Sequence, residues 1–349
     1  MLQNFDEVGL YGLGSTGKAN MLTDPFWIEV DTGPSSSIVF SGAASLAMNS
    51  GGGNSNRIAV PTPAGDLGFG ARFYMGGAPS DTSRLVPFYF RNGSNQDLCC
   101  IVVTPTRAIQ AKQGDKNSST VYGTSAAGII PIGTKIHLEA HVVFHASAGS
   151  VNVYLNGNAT PVLSLSGLNT LNGNAGPCAQ WGLWSEVAAT SYAGDFFVWD
   201  TTGSFNNSRL GDVSALLLAL DSDVDSSGFT TTGAASGHAA LNTVPPNDAG
   251  IYNDYAAVGV GKFGVADLPG TVASVLALQL VSRGYKTDSG ACSAKASAVS
   301  GSSTGAGTDT ALGTGAAYWH DMFEADPATS AAWLVAAVNA VNLKQERTL

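Results

Sequence analysis

The stretch "GTKIHLEAHVVFHASAGSVNVYLNGNATPVLSLSG", residues 133–167, decides the fold. Ile136, Leu138, Ala140, Val142 and Phe144 alternate with polar residues, Val151, Val153 and Leu155 repeat the pattern, and Asn156-Gly157 turns the chain into "PVLSL". A period of two puts one face of a strand in a core, and an Asn-Gly pair between two such runs is a hairpin signal. Working outward, "RLVPFYFRNGSNQDLCCIVVTP" (84–105) follows the same scheme, with Val86, Phe88 and Phe90 expected on one face, a turn at Asn92-Gly93, and the β-rich run "LCCIVV". "GDFFVWDTTG" (194–203) closes the series. Strands spaced by turns every ~8–12 residues predict a sandwich or barrel.

The turn-rich "SFNNSRLG" (204–211) breaks the pattern, and we place a domain boundary there: residues 1–211, then 212–349. The second part reads as a further β-sandwich, from "DVSALLLALD", "DYAAVGVGKFGV", "VASVLALQLVSRGY" and "ACSAKASAVSG". One helix is expected, in "DPATSAAWLVAAVNAVN" (326–342), with Asp326 or Thr329 as cap and Trp333, Ala337 and Val341 at four-residue spacing.

Composition narrows the function. Only 12% of the 349 residues are charged, so the polar surface must be built from Ser, Thr, Asn and Gly. With 16 Lys plus Arg, a net charge of −10 and no basic run, nucleic acid is not an expected partner. No apolar stretch is long enough to span a membrane, and "MLQNFDEVGL" carries acids where a signal peptide needs bases. Cys99 and Cys100 are adjacent and point to opposite strand faces, so these two, Cys178 and Cys292 are expected as free thiols in a reducing cytoplasm.

Several motifs offer chemistry, and each has a plainer reading. Gly12, Gly17 and Lys18 have phosphate-loop spacing, but Ala19 replaces the magnesium-binding hydroxyl and Pro25 cuts short any long helix, so a turn is expected. "LLLALD" then reads as a buried strand rather than the second half of a nucleotide site. His137, Glu139, His141 and His145 share one strand face and could share a metal, yet without a partner cluster they are expected to form the solvated side. Asp221, Asp223 and Asp225 resemble the start of a calcium loop, although Ser226 and Thr232 stand where its Gly and Glu would be; the alternative is an acidic turn. Ser303 lies in G-x-S-x-G, but no helix-forming stretch follows. Glu186, Asp195 and Asp200 are the carboxylates near strand ends that a glycan hydrolase could use. Trp181, Trp184, Phe196, Phe197 and Trp199 form an aromatic cluster, mainly core, of which any outward member would suit sugar stacking.

Two segments carry a resemblance. "IPIGTKIHLEAHVVFHASAGSVNVYLNG" with "GDFFVWDTTG" resembles concanavalin-A-like, laminin-G-like sandwiches. "TTGSFNNSRLGDVSALLLALDSD" with "FEADPATSAAWLVAAVNAVN" is similar to virion structural proteins of tailed bacteriophages. Lys135-Ile136 replaces that family's Trp, and Gly194 leaves Asp195 alone where the family has an acidic pair. The resemblance implies a jelly roll followed by a second sandwich, in a non-enzymatic exterior component; no cofactor is expected beyond a structural calcium at Asp221, Asp223 and Asp225. Assembly in the host cytoplasm, homo-oligomerisation, other virion proteins as partners and contact with host glycans go with a tail location. A capsid decoration protein is the alternative, and a glycan hydrolase a third reading.

Overall fold

In the computed structural model of the protein, residues 2–6, 8–41, 44–48, 54–80, 84–187 and 189–349 are described. The chain forms two units, Met1–Leu216 and Leu217–Leu349. The first contains β1 (Leu2–Asp6), α1 (Gly14–Met21), β2 (Trp27–Val30), β3 (Pro34–Ser35), β4 (Ser45–Met48), β5 (Asn54–Ala64), β6 (Asp66–Tyr74), β7 (Leu85–Asn92) and β8 (Asp97–Val103). It continues with β9 (Ile109–Gln113), β10 (Val121–Thr124), β11 (Lys135–Val143), β12 (Gly149–Leu155), β13 (Leu163–Leu168), β14 (Cys178–Ser185) and β15 (Ser191–Asp200).

These strands make two antiparallel sheets, β13-β12-β11-β6-β15-β4-β3 with β1 also on β15, and β10-β9-β8-β7-β14-β5-β2. Most neighbours are distant in sequence, the non-local order of a jelly-roll sandwich. The decisive stretch supplies β11, β12 and β13, and Asn156 and Gly157 both take positive φ (51° and 71°), as a mirror-image hairpin turn requires. Aromatic rings fill the space between the sheets: Phe69 of β6 packs against Phe90 at 4.6 Å and Trp181 at 5.7 Å from the facing sheet. Such aromatics give a sandwich most of its buried area.

One face differs from expectation. Phe88 and Phe90 point inward, but Val86 clusters with Tyr89, Cys100, Val102 and Trp184 on the outer side. The register of β7 shifts against β8 between Leu85 and Phe88, around Pro87, which has no N–H for the ladder. The Pro87 carbonyl instead accepts Trp181 Nε1 at 3.0 Å.

The second unit contains β16 (Leu220–Asp225), β17 (Thr230–Thr232), α2 (Gly237–Leu241), β18 (Tyr252–Asp254), β19 (Gly259–Val265), β20 (Leu278–Gly284) and β21 (Ser293–Ser300). β22 (Ser303–Ala306), β23 (Thr310–Ala311), β24 (Ala317–Phe323), α3 (Val335–Val338) and β25 (Asn342–Arg347) complete it. A sheet β16-β19-β25-β21-β22, with β23 on β21, is joined by the two-stranded ribbons β17-β18 and β20-β24. Its core is small: Ala298, Trp333, Val338 and Val341, with Leu278 and Phe323 of the second ribbon packed against them.

The short tail helix is present but covers less of the segment than its spacing predicts. α3 is four residues long and begins after Leu334 without a side-chain cap, and Val341 leads into β25 instead of extending the helix. Asp326 caps a turn, accepting Ala328 N at 2.9 Å, and from Asn342 the chain pairs with β21 as a strand. "DVSALLL" is likewise not a strand; pairing starts at Leu220, against β19. The first unit runs beyond residue 211 because residues up to Ala215, which is 2% exposed, stay on it.

Candidate functional site

The structure disposes of the phosphate loop first. Residues 14–21 form the helix α1 rather than a turn, the Cβ of any side chain at Gly17 would lie 2.4 Å from Gly12 O, and Lys18 Nζ donates to the Asp31 carbonyl at 2.8 Å. Ser303 opens β22 in a hairpin with Ser300 opposite, not a strand-to-helix elbow.

The face bearing His137, Glu139, His141 and His145 is the largest correction. Only His145 is exposed; His137 is 2% exposed and Glu139 fully buried. The cause lies in β6, whose Gly68 and Gly70 leave slots on the outer side of the sheet. A Cβ on Gly68 would sit 1.8 Å from the Trp199 ring, and one on Gly70 2.0 Å from that of Phe197. Trp199 and Phe197 of β15 fill these slots and meet the imidazoles, His141 with Trp199 at 5.0 Å and His137 with Phe197 at 5.8 Å. Segment 201–215 then straps across the rings. Glu139 holds it, accepting Trp199 Nε1 at 2.9 Å, Leu210 N at 2.8 Å and Gly211 N at 2.9 Å. Arg209 lies over the Tyr154 ring at 4.8 Å, and Arg72 reaches Asp212 at 2.8 Å.

Burial governs the titration of this layer. Neither His137 nitrogen has a partner among the described residues, and burial pushes its pKa down to about 4, so the ring is neutral near pH 7. Burial also raises Glu139, against the hydrogen bonds and Arg209 that favour its charge. Asp195 is pushed up to about 6 by burial, despite hydrogen bonds from Ser41 and Ala215 and the Arg72 guanidinium 3.2 Å away.

The remaining sequence candidates do not converge. Glu186 pairs with Lys116, Asp200 accepts Thr202 N at 2.9 Å, and Asp195 of β15 is bonded by Ser41 and by Ala215 of the strap, so the three carboxylates serve separate structural bonds. Asp221, Asp223 and Asp225 lie on β16 rather than in a turn, and register shifts against β19 interrupt their alternation. Asp223 accepts Gly237 N at 2.8 Å and His238 N at 2.6 Å at the start of α2; burial works against its charge, but these amides hold it below the usual carboxylate range. Asp225 accepts Ser227 N at 2.9 Å, and Asp221 accepts Ser222 Oγ at 2.8 Å. Among the described residues no three His, Cys, Asp or Glu side chains come together to hold an ion. Cys99, Cys100 and Cys178 are buried thiols, Cys100 pushed up to about 12 by burial.

What sequence reasoning missed is a groove of ≈ 380 Å³ at the turn of the β8–β9 hairpin. Val102 and Pro105 give its apolar lining, and Thr104, Thr106, Gln110, Arg84, Ser80 and Thr124 its polar lining. Val102 and Gln110 face one another across the ladder, and Gln110 Nε2 donates to Thr124 Oγ1 at 3.1 Å. The Thr104 and Thr106 hydroxyls lie 2.9 Å apart. Behind the groove, on the same outer face, Trp184 packs on the Val102 cluster with Lys116 over its ring at 4.6 Å. Only "TPT" after a β-rich run hinted at this site, because its wall residues come from separate strands.

No protein-family model matches the chain, and no curated protein matches its sequence. Among solved structures, the carbohydrate recognition domain of Emp46p is similar at 8% identity and a TM-score of 0.36, covering 56% of this chain and 97% of that one. Cellulose induced protein Cip1 is similar at 12% identity and 0.34, covering 52% and 87%. The carbohydrate binding module CBM66 from Bacillus subtilis is similar at 12% identity and 0.30, covering 41% and 83%. At these scores the likenesses carry no argument for a ligand or a reaction. The fold rests on the two sheets, their strand order and the aromatic layer between them, which make the chain all-β with a jelly-roll sandwich as its first unit.

Proposed function

We propose that this chain is a non-enzymatic exterior component of a tailed-phage particle, tail-associated, whose first unit contacts surface saccharides. The groove carries the saccharide half. A sugar presents hydroxyls as donors and acceptors around a ring with an apolar face; Thr104, Thr106 and Gln110 answer the first, and Val102 and Pro105 the second. No carboxylate lines the groove among the described residues, and glycoside hydrolysis by the usual route needs two. The particle half is supported by the sequence similarity of "TTGSFNNSRLGDVSALLLALDSD" to virion proteins, and its first residues build the strap that follows β15.

Two measurements test the halves separately. Gold-labelled antibody on intact particles should mark the tail; label over the head would make the chain a decoration protein, and unlabelled particles would refute the virion assignment. The purified chain on a glycan array should retain saccharides, and an array without any retained ligand would refute the saccharide half.

A further inference from the structure

Resting on that reading of the groove, we propose that its ligand is an acidic saccharide, one bearing a carboxylate, and that Arg84 is the residue that holds the acid. Arg84 stands immediately before β7, where its carbonyl accepts Glu186 N at 2.8 Å, so its backbone is fixed at the groove wall. The other cations of this outer face are occupied. Arg57 pairs with Glu29 at 2.5 Å, Arg91 with Asp97 at 2.7 Å, and Lys116 with Glu186. Arg84 enters no ion pair among the described residues. It is half-buried beside threonine hydroxyls, and a guanidinium so placed still has donors to satisfy.

A second cation strengthens the field. Lys112, 5% exposed on β9, gives Nζ to the Lys116 carbonyl at 2.8 Å. Its ammonium is held below the ordinary lysine range by burial and by repulsion from Arg84, with Cys100 and Asp115 acting in the opposite sense. This corner of a chain of net charge −10 therefore attracts anions locally.

The kind of anion follows from the shape. A single guanidinium fork matches a planar carboxylate through two parallel hydrogen bonds, whereas a polyphosphate calls for several free cations, and Arg57, Arg91 and Lys116 are paired. The hydroxyls, the carboxamide and the apolar residues that line the groove with Arg84 are what the rest of a sugar ring requires. A volume of ≈ 380 Å³ lies at the low end of the ~300–1,000 Å³ span of small-ligand sites, which suits a terminal sugar and its neighbour.

Calorimetric titration of the full chain with 3′-sialyllactose, trigalacturonate and neutral lactose tests this. At least one acidic ligand should bind about tenfold or more tightly than lactose, and added salt should weaken it. Arg84→Gln should remove about tenfold or more of that affinity, and Arg84→Lys should restore only part, since an ammonium lacks the fork. Thr124→Val, on β10 and separated from β7 by β9 and β8, should weaken acidic and neutral ligands alike, and unchanged melting curves would show that each variant is folded. Lactose binding as tightly as the acids, or acidic binding untouched by Arg84→Gln, would overturn the acidic assignment while the saccharide reading stands. If none of the three sugars binds, the acidic assignment falls, and the glycan array alone decides the saccharide reading.

Discussion

Asp195 should make the first unit lose stability as pH rises from 4 to 7, the reverse of an ordinary salt-bridged aspartate. Its side chain is 3% exposed at a backbone φ of 54°, and burial raises its pKa from 3.8 to about 6. The folded value lies above the unfolded one, so the folded chain binds the proton more tightly between them. The group's contribution is therefore fully present below pH 3.8 and lost as pH climbs through 6. At ~1.4 kcal/mol per tenfold, the change is about 3 kcal/mol. Asp195→Asn is the clean perturbation, because Asn tolerates positive φ, keeps an acceptor for Ser41 and does not titrate. Urea unfolding can be followed by tryptophan fluorescence, since Trp27, Trp181, Trp184 and Trp199 all report on this unit. The stability of the wild type minus that of the variant should fall by about 3 kcal/mol between pH 3.5 and 7, the contributions of other carboxylates cancelling in the difference. A flat difference would mean that the carboxylate is solvated. A difference that grows with pH would mean that its pairing with Arg72 outweighs burial, and either result refutes the reasoning.

Gly70→Val puts atoms into the Phe197 slot, where even a Cβ would come to 2.0 Å, and should cost about 3 kcal/mol in the same unfolding assay, because a tight layer relaxes poorly. Glu139→Ala orphans Trp199 Nε1, Leu210 N and Gly211 N at about 1–3 kcal/mol each, partly offset by relief of a buried charge; hydrogen exchange at 210 and 211 should accelerate markedly, while amides of β8 stay protected. Thiol titration with a bulky disulfide reagent should find one reactive cysteine in the native chain, Cys292, and four in denaturant, because the other three are buried.

Period-two alternation was enough to place β11 and β12 and the apolar side of each, because that side is determined by what water excludes. The same alternation said nothing reliable about the opposite side. A row of His, Glu and His reads as solvated, yet a strand cannot announce that a strap from residues 201–215, some 60–70 positions away, will lie across it. The signal was present in another strand: "LGFGARF" places Gly68 and Gly70 on the face opposite Phe69 and Ala71, where no side chain of their own can cover the sheet. Bare backbone at two alternate positions invites large rings from a neighbouring strand, and "FFVWD" supplies them at matching spacing, Phe197 opposite Gly70 and Trp199 opposite Gly68. Once two aromatic rings sit on the outer face, that face is apolar and must be covered, and the polar residues between them become buried anchors for the cover. Glu139 thus owes its burial to two glycines 69 and 71 residues earlier, and exchanging either glycine for a larger residue should expose it. The Arg84 groove was hidden for a related reason. Val102 lies in a run that reads as interior throughout, yet it faces out with Tyr89 and Cys100, and the register shift at Pro87 turns Val86 to join them beside the groove.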